Sequence, residues 1–143
     1  MSLKAAVIGV GYLGKHHARI YSSLEGVELV GVVDASDEVR NSIANEYGTE
    51  AYADYRDVLP KVDVLSVVTP TVTHFGIAMD CIRAGKDILL EKPVTATLEE
   101  ADALIKEAKR LGSIVQVGHL ERYNPCAVPN SIKAIDIGLQ AAL

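Results

Sequence analysis

Six short apolar runs, separated by stretches of helical periodicity, constrain the fold of this chain more than any other feature of it. The runs are LKAAVIG (3–9), VELVGVVD (27–34), a weaker TEAYA (49–53), VDVLSVV (62–68), KDILLE (86–91) and SIVQVG (113–118). Nearly continuous apolar runs of this length suit strands covered on both faces, as in a parallel sheet between helices. Leu13, His17, Ile20 and Leu24 share one helical face in the first interval. Val39, Ile43 and Tyr47 share another after Ser36, a residue able to cap. Thr97 and Glu100 stand at capping-box spacing with Leu98, Ala101, Leu104, Ile105, Ala108 and Leu111. Gly48, Gly85 and Gly112 fall where three helices end. Alternation of strand and helix through short loops predicts right-handed crossovers and a doubly wound parallel α/β sheet in the order 3-2-1-4-5-6, complete by about Gly118.

The segment GVGYLG puts Gly9, Gly11 and Gly14, with Tyr12 and Leu13 between them, directly after the first run and at the start of the first helix. A tight turn, a backbone that closely approaches a pyrophosphate, and a helix packed on a strand each call for a residue without Cβ. The helix N-terminus adds free N–H groups and a partial positive charge. Taken alone, the pattern also fits a purely structural glycine turn. Asp34 ends the second run 20 positions beyond Gly14. A carboxylate there accepts hydrogen bonds from ribose hydroxyls and repels a 2′-phosphate, so the expected cofactor of this Rossmann-type sheet is NAD rather than NADP. The other reading of Asp34 is a helix-capping acid ahead of ASDE.

Composition narrows the remaining classes. Of the 143 residues, 14 are Lys or Arg against 19 Asp or Glu, with no Trp and one Phe, so nucleic acid is not an expected partner. The N-terminal MSLKAAVIGVGYLG lacks the unbroken apolar core of a signal peptide, and no run approaches the ~20 apolar residues of a membrane span. Neither membrane nor export is expected, which leaves the cytoplasm. Cys81 and Cys126 have no neighbouring Cys or paired His, so neither a zinc site nor a disulfide framework is indicated. His16 and His17 are adjacent on a helix and cannot share a face, so no metal is expected there. After Gly118 the character changes. Ile132, Ile135, Leu139 and Ala142 would stripe a short helix with nothing after it to pack against. The expected organisation is a dinucleotide-binding domain over 1–125, followed by a truncated or irregular tail over 126–143.

In DILLEKPVT (87–95) a buried-strand run passes abruptly into Glu91, Lys92 and Pro93. An isolated lysine at a strand end is most simply a solvated charge. Ligands of this fold, however, bind outside the carboxyl ends of the strands, which puts Lys92 at the crevice together with TPTVTH (69–74) and GHLERYNP (118–125). VIGVGYLGKHHARIY, VDVLSVVTPTVTHFGIAMDCIRAGKDILLEKPVT and VQVGHLERYNP together resemble the N-terminal half of the Gfo/Idh/MocA oxidoreductases over residues 3–125. These are dehydrogenases acting mainly on sugars, cyclitols and nucleotide sugars. GHLERYNP is similar to the branch acting on UDP-N-acetyl-hexosamines.

The resemblance implies that Lys92 reaches the nicotinamide ribose and the substrate hydroxyl, and helps to remove its proton if burial lowers its pKa. Glu91 would position it. Pro93 would follow a cis peptide bond, tolerable at a penalty of ~0.5–1 kcal/mol. Thr69, Pro70 and His74 match the loop lining the dinucleotide, with His74 packing by the cofactor or capping the next helix rather than exchanging protons. Glu121, Arg122, Tyr123 and Asn124 match a segment at the nicotinamide and the substrate entrance, Asn124 on the cofactor side, Arg122 and Tyr123 on the substrate side. Arg122 would hold an anionic group of the substrate, or equally form a surface salt bridge.

Family members also carry a C-terminal α/β domain with the substrate pocket, the usual oligomer interface and further acid–base groups, which this chain lacks. The expectation is an NAD-dependent dehydrogenase of a sugar or nucleotide sugar, homo-oligomeric at full length, with this chain alone binding the dinucleotide and turning over little. The competing expectation is a stand-alone NAD-binding sensor, in which the EKP segment would be superfluous.

Overall fold

The computed structural model describes residues 1–119. Its elements are β1 (Leu3–Ile8), α1 (Gly14–Ser23), β2 (Val27–Val33), α2 (Asp37–Tyr47), β3 (Glu50–Tyr52), β4 (Val64–Val67), α3 (Thr71–Arg83), β5 (Asp87–Leu90), α4 (Leu98–Leu111) and β6 (Val115–Val117). Two 3-10 turns, Tyr55–Asp57 and Leu59–Lys61, join β3 to β4. The six strands form one sheet in the order β3-β2-β1-β4-β5-β6, every pairing parallel, as the sequence predicts. Expectations for Glu121, Arg122, Tyr123, Asn124, Cys126 and the 126–143 tail fall outside the described residues.

Strand alternation splits the core in two. Ala6 and Ile8 of β1, with Leu65, Val67, Ile88 and Leu90, pack under Ala78 and Ile82 of α3 and Leu104 and Ala108 of α4. Val7 and Val32 face the other way, toward Ala18 of α1 and Ile43 and Ala44 of α2. Successive side chains of a strand point to opposite faces, so one apolar run feeds both cores. The helix ends follow their caps. Ser36 Oγ accepts from the Val39 N–H at 3.4 Å, Thr97 Oγ1 from the Glu100 N–H at 3.2 Å, and Gly48 and Gly112 close α2 and α4 in the left-handed conformation.

Helix α1 departs from the predicted face. Leu13, Ile20 and Leu24 are 47%, 47% and 50% exposed, while Gly14 and Ala18 are buried, with His17 and Tyr21 half-buried beside them. The inward face is Gly14, His17, Ala18 and Tyr21, at i, i+3, i+4, i+7 spacing, and it shares only His17 with the predicted stripe. The first turn is set by proximity: a Cβ on Gly14 would lie 1.7 Å from the Gly9 carbonyl oxygen, so no side chain fits between the start of α1 and the loop after β1. On α4, Leu104 and Ala108 are buried as expected, whereas Leu98 and Leu111 at its ends are exposed.

Parallel pairing brings the loops after all six strands to one edge. Truncating the fully packed Leu104 to Ala should cost about 2–5 kcal/mol, whereas Ile20→Ala on the exposed stripe of α1 should cost less than about 1 kcal/mol. Urea midpoints of the two variants check this, and equal losses would contradict the assigned face.

Candidate functional site

The loop after β1 is shaped by contacts that leave no room for side chains. Gly9 has a φ of +84°, and a Cβ there would meet the Val68 carbonyl oxygen at 2.6 Å. Its N–H is donated to the Val33 carbonyl at 2.8 Å, tying the loop to β2. Gly11 differs, since a Cβ there would meet nothing within 4 Å. The space above it is open, as close approach by a ligand requires. Leu13 occupies the N-cap of α1 without a side-chain acceptor, and the Lys15 and His16 N–H groups of the first turn bond instead to the Gly11 and Leu13 carbonyls at 3.1 and 3.0 Å. Tyr12 and Leu13 are exposed in this loop, Tyr12 meeting His16 edge-on and Lys15 over its ring.

Asp34 fastens the same loop from the end of β2. Its Oδ2 accepts from the Val10 N–H at 3.0 Å and its Oδ1 from the Ser36 N–H at 2.9 Å. The second bond orders the turn into α2, while the helix cap proper is Ser36. Gly9, Gly11, Asp34, Thr69 and Pro70 line one cavity of about 450 Å³, together with Tyr55 and Arg56. A larger groove of about 770 Å³ includes Lys4, Glu50, Asp63 and Lys86 at the opposite edge of the sheet. Its polar groups bond one another: Lys61 pairs with Glu50, Lys86 donates to the Val62 carbonyl, and Asp63 accepts from the Lys4 N–H.

Tyr55, Arg56 and Arg40 are the residues near this cavity that the sequence reading missed. Tyr55 donates to Asp80 at 2.6 Å, and burial foremost, then Asp80, pushes its phenol up to about 12. The Arg56 guanidinium lies 4.8 Å from the centre of the Tyr55 ring. Arg40 donates to the carbonyls of Asp34 and Ala35 and pairs with Asp37. Tyr55 and Arg56 lie in a 3-10 turn, which leaves no periodicity to read.

The EKP segment emerges from β5 clamped from both faces of the sheet. Glu91, only 6% exposed, faces α1, where His17 Nε2 lies 3.3 Å from its Oε1. Its Oε2 accepts from the Lys92 N–H at 3.2 Å. Burial, foremost, holds the His17 imidazole below its usual value despite the opposing pull of Glu91, which favours the neutral ring at this contact. His17 Nδ1 in turn meets Ser66 Oγ at 3.1 Å, and Ser66 meets Tyr21 Oη at 2.7 Å. On the opposite face the buried His74 of α3 bridges two loops, its Nδ1 2.9 Å from the Pro93 carbonyl and its Nε2 2.8 Å from that of Thr69. A neutral ring donates to one of these oxygens and an imidazolium to both.

The Lys92–Pro93 bond between the clamps is cis. The side chain of Lys92 is exposed, so the burial expected of it is not supplied by the described residues. The structure thus joins Gly9, Gly11, Asp34, Thr69 and Pro70 around one cavity, while His74, Glu91, Lys92 and Pro93, bonded among themselves, do not line it. Ser66, a lone hydroxyl in an apolar strand, was the sequence signal that could have pointed to the His17 contacts.

Comparison with known proteins supplies the context. UDP-N-acetylglucosamine 3-dehydrogenase of Acidithiobacillus ferrooxidans is 40% identical over 123 residues, which are 86% of this chain and 39% of that protein. Its solved structure superposes with a TM-score of 0.83, at 39% identity over 87% of this chain and 41% of that one. The scyllo-inositol 2-dehydrogenase (NAD(+)) of Bacillus subtilis is 37% identical over 95% of this chain and 41% of its own length. GenD2 from gentamicin A biosynthesis, solved in complex with NAD, matches at 31% identity with a TM-score of 0.79, over 82% of this chain and 34% of that one. This chain therefore spans about two fifths of the length of the curated relatives it matches. Residues 3–119 match the family described as oxidoreductase family, NAD-binding Rossmann fold. The chain belongs to the Gfo/Idh/MocA oxidoreductases and carries their NAD-binding Rossmann domain.

Proposed function

We propose that this chain is the cofactor-binding part of an NAD-dependent dehydrogenase acting on a hydroxyl of a sugar, cyclitol or nucleotide sugar. The observation that carries this reading is that Lys92 follows β5 at the carboxyl edge of the sheet, the edge at which Gly9, Gly11 and Asp34 line a cavity, and that its neighbours Glu91 and Pro93 are contacted from both faces. The residues fit NAD: the space over Gly11 is open, α1 starts without a side-chain cap, and each Asp34 oxygen keeps a lone pair after its backbone bond. The loop from Gly9 to Gly14, with Tyr12 and Leu13, would hold the pyrophosphate at the start of α1. Asp34 would take the adenosine ribose hydroxyls, and Thr69, Pro70 and His74 would line the far side.

Bound NAD supplies the hydride acceptor. Lys92 Nζ would orient the substrate hydroxyl, and would take its proton only in its neutral form, once the bound substrate and the rest of the polypeptide bury it; Glu91 and Pro93 hold its backbone on either side. Asn124 at the cofactor, and Arg122 and Tyr123 toward the substrate, complete the proposed set. The reading includes a cytoplasmic enzyme that assembles as a homo-oligomer of whole polypeptides, and the UDP-N-acetyl-hexosamine branch supports nucleotide sugars as its first substrates to try.

Asp34→Asn leaves the side-chain shape and removes the charge. Calorimetric titration of the chain should show NAD binding weakened about tenfold or more, while the ratio of NADP to NAD affinity rises; an unchanged ratio would remove Asp34 from the ribose site. For Lys92→Ala, NAD affinity should stay within about threefold. Turnover of UDP-N-acetylglucosamine or scyllo-inositol by the full polypeptide, followed by NADH absorbance, should fall by about 10²–10⁴. Full turnover without Lys92 would refute its role, and NAD binding with no turnover of any such polyol by the full polypeptide would favour a binding module.

A further inference from the structure

We propose that His17 is a positioning residue for Lys92, acting through Glu91 at the end of a buried chain that begins at Tyr21. The inference rests on Lys92 as the group that meets the substrate hydroxyl.

The hydrogens of the chain are set by its last member. A carboxylate only accepts, so the tautomer of His17 that serves Glu91 carries the ring proton on Nε2, 3.3 Å from Glu91 Oε1. Nδ1 is then an acceptor, and Ser66 Oγ, 3.1 Å away, donates to it. Ser66 Oγ accepts in turn from the Tyr21 hydroxyl at 2.7 Å. One tautomer of a neutral His17 therefore satisfies every member, and burial favours the neutral ring. Among the described residues no buried side-chain polar atom lacks a partner, and Ser66, fully buried on β4, gets its partners only from α1.

The geometry at Glu91 gives the chain its use. Oε2 holds the Lys92 N–H at 3.2 Å, so the direction in which the strand releases Lys92 depends on how the carboxylate is turned. Two features fix that turn. His17 binds Oε1, and Gly118 leaves the space beside it clear, since a Cβ there would lie 2.7 Å from that oxygen. Without His17 the buried carboxylate loses a donor and is free to rotate away from the Lys92 amide. Elsewhere α1 meets the sheet through Gly14 and Ala18, so packing alone does not call for a Tyr, Ser and His at this contact.

Amide hydrogen exchange at Lys92 in the free chain, read by NMR, tests this. Glutamine carries an amide nitrogen near the position of Nε2 and can donate to Glu91, whereas asparagine reaches only the position of Nδ1 and can serve only Ser66. His17→Ala and His17→Asn should speed exchange at Lys92 by about tenfold or more, and His17→Gln should stay within about threefold of the parent. The Leu65 amide of β4 reports folding, and if the alanine variant unfolds, the Gln and Asn pair decides alone. Equal exchange in all variants, or rescue by Asn as full as by Gln, would overturn the proposal and leave His17 as a structural partner of Ser66. The readout needs no turnover. Undiminished activity of Lys92→Ala would sink the catalytic reading of Lys92 while leaving the exchange result to be judged on its own.

Discussion

The contact of Gly14 with the carbonyl of Gly9 governs the rest of the site. No side chain fits between the first turn of α1 and the loop after β1, because a Cβ on Gly14 would fall 1.7 Å from that oxygen. The helix therefore lies low on the sheet with its first N–H groups at the carboxyl edge, which creates a place for an anion. The same low position lets Ala18 touch the sheet and brings His17 and Tyr21 within reach of Ser66 and Glu91. The glycine loop and the contacts of His17 with Glu91 and Ser66, far apart in sequence, are thus two results of one close approach.

Burying Glu91 would be costly without partners, since an ionised carboxylate loses its hydration in the interior. Among the described residues its partners are the His17 ring, in which burial favours the neutral form, and the Lys92 backbone N–H. A full ion pair at this position would face the desolvation of two charges, which often equals or exceeds their attraction. His74 does comparable work on the other face with two carbonyl oxygens, so one histidine from each helical layer holds the segment that carries Lys92.

The strands and their order were legible because apolar runs of strand length, broken by capped helices, allow few topologies. Even the weak run at 49–53 is a strand, three residues long at the sheet edge. The glycine spacing was legible because it answers a steric demand, no Cβ having room at Gly9 or Gly14. The inward face of α1 was not. Reading large apolar residues assumes that helices pack through them, and α1 packs through Gly14 and Ala18 instead, leaving Ile20 and Leu24 half in solvent. The partners of Glu91 were hidden for a related reason: His17 stood in the predicted apolar stripe, and Ser66 was one polar letter in a strand. Only the fold brings positions 17, 21, 66 and 91 together.

Hydrogen-bond accounting separates the groups that hold the site from those left to meet a ligand. Tyr21, Ser66, His17, Glu91 and His74 bond inward, to one another or to backbone. Asp34 divides its capacity, using one lone pair of each oxygen on the backbone N–H groups of Val10 and Ser36 and keeping the others for the cavity. Lys92 is held only through its backbone and presents an exposed side chain. A group that is satisfied internally gains nothing from a ligand except its own immobility, whereas an open donor or acceptor in a braced loop pays little entropy when a ligand arrives. By that criterion Lys92 and the outer lone pairs of Asp34 are the groups left open among the described residues, and the two histidines hold the segment that carries Lys92.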